Sequence, residues 1–266
     1  MNLGPWLRDH NRRRRAEQAL WVSIGLTILL WVIPFGRMIG YPLTLFSTLV
    51  HELGHGLTAL LVGGSFEKMV VFSDASGVAT QSGLSHDPAD GPNIARALVS
   101  AGGLVGPAIF AGIAFVLARN AKLSRAGLAV GAVFLAVVDV LFMRNVFGIV
   151  FTGLVAGGMG WLAWRRGPET AQLALVFLGI QMSLSVFSRG DYLFMSEATT
   201  GAGVMPSDTA NMATALGGSF WMWGLVCGAF SVLVLALGVW LFSRAFSVRA
   251  LTTVGQDVGA PRSRPD

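Results

Sequence analysis

One cysteine, Cys227, stands in 266 residues, so no disulfide can close within the chain and cysteine usage says nothing about compartment. Charge is also scarce. Charged residues make up 12% of the chain against 53% hydrophobic residues, a balance that excludes an ordinary soluble domain. Histidine is rarer still, with four in the whole sequence. Nearly all of the chain is apolar segment, and no stretch is left for a PDZ-like or nucleotide-binding domain.

What is abundant is long apolar sequence. Seven runs approach the ~20 residues that a helix needs to cross a hydrocarbon core: Leu20–Ile39, Pro42–Val62, Ala95–Leu117, Ala126–Met143, Val146–Trp164, Thr170–Phe187 and Phe220–Phe242. They predict an all-α polytopic membrane protein of six to seven membrane helices. "RDHNRRRRAEQ" followed by "LWVSIGLTILLWVI" has the layout of a signal sequence without a small-residue cleavage site, and reads as a retained anchor. Residues 1–18 form a basic N-terminus, 19–243 the membrane domain, and 244–266 a basic tail expected to be disordered.

The net charge of +5 gathers at Arg12 to Arg15, Arg119 to Arg125, Arg165 with Arg166, and from Arg244 onward. These clusters flank apolar runs, which points to orientation and lipid headgroups and away from nucleic acid. Basic loops favour the cytoplasmic side. Seven full crossings cannot place all four clusters there, whereas six crossings plus a partial or re-entrant second helix can. That arrangement puts the N-terminus in the cytoplasm and the loops Gly64–Asn93 and Arg189–Ser219 together on the outer side. The expected location is a bacterial plasma membrane.

Within the second run, "TLVHELGHGLTALLVGG" holds His51, Glu52 and His55. Histidines four residues apart on a helix project from one face and can bind one zinc ion, and a glutamate beside them can deprotonate a water molecule. From four histidines and five glutamates, the expected count of HExxH by chance is roughly 0.001. Ionisable groups inside apolar helices are rare and usually functional. A hydrogen-bonded polar cluster that glues helices together is the plain alternative.

"HELGHGLTALLVGG", "FEKMVVFSDASGVATQSG", "SAGGLVGPAIFAG" and "MRNVFG" resemble the site-2-protease-like intramembrane metallopeptidases, specifically their shorter bacterial relatives. The likeness runs from about Leu43 to Leu216 and is sharpest at HELGH. It implies a zinc-dependent protease with its active site among membrane helices. The Asn/Pro-rich motif ending Leu-Asp-Gly, which supplies a third ligand in typical members, is absent here.

Catalytic zinc usually takes three protein ligands. Three aspartates compete for the third place. Asp208, in "MPSDTANMA", resembles a Ser-Asp-Ala element of the shorter relatives and is the first choice, with helix capping as its alternative. Asp139, in "FLAVVDVLFM", is the most deeply intramembrane acid and sits where the family's aspartate falls, with a contact to Arg144 or Asn145 as its alternative. Asp191 has a ready partner in Arg189. His86 reads as a solvated loop residue.

After Gly63 and Gly64, two β-rich stretches flank the turn-forming "SDASG" and predict a hairpin. Its edge could hold an extended substrate, or the hairpin could simply cover the site. The glycines of "SAGGLVGPAIFAG" are expected to pack on the HELGH helix. Arg144 is expected to anchor a helix end, and Trp161, Trp164, Trp221 and Trp223 to form an aromatic belt.

The expected function is zinc-dependent endoproteolysis of a membrane-embedded or membrane-proximal protein or peptide, with Glu52 as general base and His51, His55 and Asp208 on the metal. The alternatives are an inactive scaffold that keeps the fold to bind a partner, and a metal transporter. Oligomeric state has no signature in the sequence.

Overall fold

The computed structural model describes Gln18 and residues 20–30, 32–84, 92–188 and 192–258. The Arg12 to Arg15 cluster, His86 and Asp191 lie outside these residues. An apolar helix α1 (Leu20–Leu30) leads to α2 (Gly36–Leu61) and a hairpin of β1 (Ser65–Val71) and β2 (Gly77–Ser82). Then follow α3 (Ile94–Leu117), α4 (Ala121–Phe142), α5 (Val146–Arg165) and α6 (Pro168–Ser188). A second hairpin, β3 (Glu197–Thr200) with β4 (Gly203–Pro206), precedes the short α7 (Asp208–Leu216) and the long α8 (Phe220–Val258). The fold is mostly helical, as expected.

Among the described residues, five helices are long and apolar enough to cross a membrane: α3, α4, α5, the Pro168–Val186 stretch of α6 and the Phe220–Arg244 stretch of α8. Helix α2 is not among them, because His51, Glu52 and His55 lower the hydropathy of its centre. The break between the first two apolar runs also falls earlier than the sequence suggests. It lies at Pro34 and Phe35, where Phe35 takes a left-handed conformation (φ 65°), and Pro42 is carried inside α2. Proline there, at the seventh residue and so past the first turn, removes one i→i−4 backbone bond from the helix. At the other end, α8 continues to Val258, into the segment expected as a tail.

Helix α3 forms the centre, with α2, α6, α7 and α8 packed around it. Phe46, Leu49, Leu53, Phe115 and Leu175 are among the side chains that fill the core. The α4–α5 pair leans outward and shows Val130, Val140, Val146 and Leu154 on its surface. At the basic end, Arg125 Nε of α4 donates to the Ala163 carbonyl of α5 at 2.6 Å, and Gln172 Nε2 of α6 donates to Ala118 at the end of α3 at 2.6 Å. The ring of Phe115 meets Phe242, which brings the end of the α8 span to that same end of the bundle. The clusters at 119–125, 165–166 and 244 therefore share one end of the molecule.

The first hairpin forms where "SDASG" predicts it. Asp74 Oδ1 accepts from the Ser76 N–H at 2.9 Å and from its hydroxyl at 2.6 Å, which closes the turn and holds the Asp74 carboxyl below its usual range. Tyr41 Oη donates to the Ser73 carbonyl and Thr48 Oγ1 to Ala75, each at 2.6 Å, so the turn is pinned to α2. The far edge of β1 is occupied: Met143 bridges to Met69, and the Arg144 N–H donates to Met69 at 3.1 Å.

Asn145 completes that edge as a side-chain clamp. Its Oδ1 accepts from the Val71 N–H at 3.2 Å and its Nδ2 donates to the Val71 carbonyl at 2.7 Å. Arg144 donates to the carbonyls of Val140, Leu141 and Met143 and caps the end of α4. Asn145→Ala strands both Val71 backbone groups and is expected to cost about 1–3 kcal/mol. In detergent the thermal midpoint should fall by several degrees, with faster amide exchange confined to β1 and β2; unchanged exchange there would overturn the clamp.

Candidate metal centre

Helical spacing alone sets His51 and His55 on one face of α2, and that face turns toward α3 and α7. The two Nε2 atoms lie 3.1 Å apart. His55 Nδ1 stands 2.8 Å from the Val99 carbonyl of α3. A carbonyl can only accept, so Nδ1 carries a proton and Nε2 is the nitrogen left to offer a lone pair to a metal.

The third group comes from more than half the chain away. Asp208 opens α7, with Oδ2 3.1 Å from His51 Nε2 and Oδ1 3.4 Å from His55 Nε2. Its position is set by Ser207, whose hydroxyl caps the helix by accepting from the Ala210 N–H at 3.1 Å and donates to Met195 at 2.6 Å. Thr209 Oγ1 lies 3.0 Å from that hydroxyl. On the α3 side, the Asn93 N–H donates to Ala215 at 2.8 Å. Helix capping, the alternative for this stretch, falls to Ser207, and Asp208 is left to face the imidazoles.

Two imidazole nitrogens and a carboxylate oxygen within 4.8 Å of one another form a plausible donor set for one metal ion. His51 Nε2 meets Oδ2 and His55 Nε2 meets Oδ1, so the two imidazoles face the two oxygens of one carboxylate. His51, His55 and Asp208 are 8%, 9% and 6% exposed, too little for bulk water to satisfy them. Among the described residues, this is the only such group of three. Asp139 is not in it, and neither alternative partner engages it: Arg144 and Asn145 are committed to backbone groups.

Small residues let α3 come this close. A Cβ on Gly103 would overlap the His55 ring, and one on Gly54 would overlap the Gly102 carbonyl. The glycine run thus packs on the HELGH helix as expected. Glu52, 5% exposed, lies beneath the first residue of β2, where a Cβ on Gly77 would stand 2.7 Å from its Cγ and 2.9 Å from Oε1. Near His51 a small cleft is lined by Ser47, Ser185 and Ser231.

Several of these features have no advance signal. The Val99 carbonyl is a backbone group, which no side-chain pattern announces. Gly77 is legible only as a turn glycine, and its contact with Glu52 depends on the hairpin folding back along α2. The β3–β4 hairpin that delivers Asp208 lies in a stretch without strong alternation. Gly103→Ala should displace the His55 ring and weaken divalent-metal binding by about 10–100-fold, as losses of ligand-orienting groups do. Titration of metal-stripped protein measures this, and wild-type affinity would show that the ring has room to move.

No curated protein and no solved structure matches the chain. The profile of the peptidase M50B-like family matches residues 21–238, a stretch that runs from α1 through both imidazoles and Asp208 into the α8 span. The chain therefore belongs to the peptidase M50B-like family, within the site-2-protease group of membrane metallopeptidases.

Proposed function

We propose that this protein is a zinc-dependent endopeptidase that cuts membrane-embedded or membrane-proximal peptides, with His51, His55 and Asp208 as zinc ligands and Glu52 as general base. The observation that carries the reading is the convergence of a distant carboxylate on the two HExxH imidazoles at ligand spacing. A zinc ion acidifies a water molecule and polarises a carbonyl.

The remaining work falls to the chain. Glu52 takes the proton as the water oxygen attacks the peptide carbonyl carbon, and returns it to the amine nitrogen as the C–N bond breaks. Val99 holds His55 in the tautomer that offers its lone pair. Burial around His51 and Glu52 keeps bulk water away and strengthens every charge interaction in the site.

Substrate seating falls to β2. Its partner β1 is already bridged to Met143 on the far side, whereas among the described residues β2 pairs with β1 alone and begins at Gly77, against Glu52. An extended peptide lying along β2 would present main-chain carbonyls near the general base. A helical substrate must unwind to do so. The same reading sets the basic end of the bundle and the N-terminus in the cytoplasm.

Metal content and cleavage test this together. Purified wild type should hold about one zinc per chain. Asp208→Ala should lose most of it, while Glu52→Gln and Asp139→Asn should keep it. On a panel of quenched fluorogenic peptides with apolar helical cores, Glu52→Gln should cut about 10²–10⁴-fold more slowly. Zinc retained in Asp208→Ala would overturn the ligand set; cleavage equal in wild type and Glu52→Gln would favour a silent scaffold.

A further inference from the structure

Asp139 is an acid that the metal centre does not use. It lies on α4 three residues before the helix ends, between the exposed Val137, Val140 and Leu141, on a surface that continues across Ile149 and Val150 of α5. The residue is half-buried, and its Oδ1 is enclosed without a hydrogen-bond partner while Oδ2 lies on the α5 side. Facing it on α5 is Gly153, where a Cβ would stand 3.6 Å from Oδ2 with nothing else in reach. Arg144, five residues on, is committed to three carbonyls at the end of α4.

An unpaired carboxylate on an otherwise apolar, membrane-facing surface is costly, and such acids pair with a cation or a donor. Among the described residues none supplies either. We propose that the α4–α5 face around Asp139 is a docking site for a partner membrane helix that carries a lysine or arginine at the matching depth. Charge complementarity selects that occupant, and Gly153 leaves a notch through which a long basic side chain reaches the carboxylate while the two backbones pack closely. The valines and isoleucine around the notch supply the apolar contact. This site stands apart from the metal ligands, so docking and peptide hydrolysis can fail independently.

The test uses the full-length protein with a photo-crosslinking benzoylphenylalanine substituted at Val150, in phosphatidylcholine vesicles, whose headgroup offers no primary amine to compete. The probe is a synthetic single-span Leu/Ala helix with one lysine moved stepwise along its length. Crosslinking should peak at one lysine depth, at least about tenfold above the lysine-free helix. Asp139→Asn, which keeps the side-chain shape, should erase the peak. Gly153→Leu, which keeps the acid but fills the notch, should do the same. Equal crosslinking of lysine-bearing and lysine-free helices to the wild type, a profile flat with depth, or a peak that persists in Asp139→Asn would each overturn the proposal.

Discussion

Two imidazole lone pairs and a carboxylate aimed at one point inside a membrane protein are a standing electrostatic cost, and the rest of the fold is arranged around holding them there. Left to themselves these groups would turn toward water. Each is held in place by something else: His55 by a backbone carbonyl of α3, Asp208 by the capping hydroxyl beside it, and the shared face of α2 by glycines that bring α3 within contact. In the proposed zinc enzyme a divalent cation would convert that cost into binding energy, and the three groups could then stay in a nearly dry site.

The two hairpins extend this arrangement outward. The first is pinned to α2 through Tyr41 and Thr48 and to the α4–α5 turn through Asn145, so β2 lies along the helix that bears Glu52. The second leads directly into Asp208. Their tips touch, with the Gly201 N–H donating to Ser76 Oγ at 2.9 Å and Gly201 packed on the Phe72 ring. Elements that carry Glu52 and Asp208 are thus joined outside the centre as well as within it.

What could be read from the residues alone follows from how local the physics is. HELGH is legible because four-residue spacing fixes a helix face before any tertiary contact exists. "SDASG" is legible because the Asp74 side chain closes its own turn. The choice among aspartates is not local. Depth in an apolar run favours Asp139, yet α4 leans away from the centre and α7, only nine residues long, brings in Asp208. The break at Pro34 was hidden by Pro42, since either proline could have ended a helix and packing decided which did. The apolar runs behind α3 to α6 and α8 were plain because composition alone specifies a span.

More than half the chain separates His55 from Asp208. During synthesis the HExxH helix is made long before Asp208, and the pair of imidazoles stands as a half-site until α7 follows four further helices. In the proposed protease, activity would switch on only with that late stage of assembly, which would spare the insertion machinery and neighbouring nascent chains from an enzyme that ripens too soon.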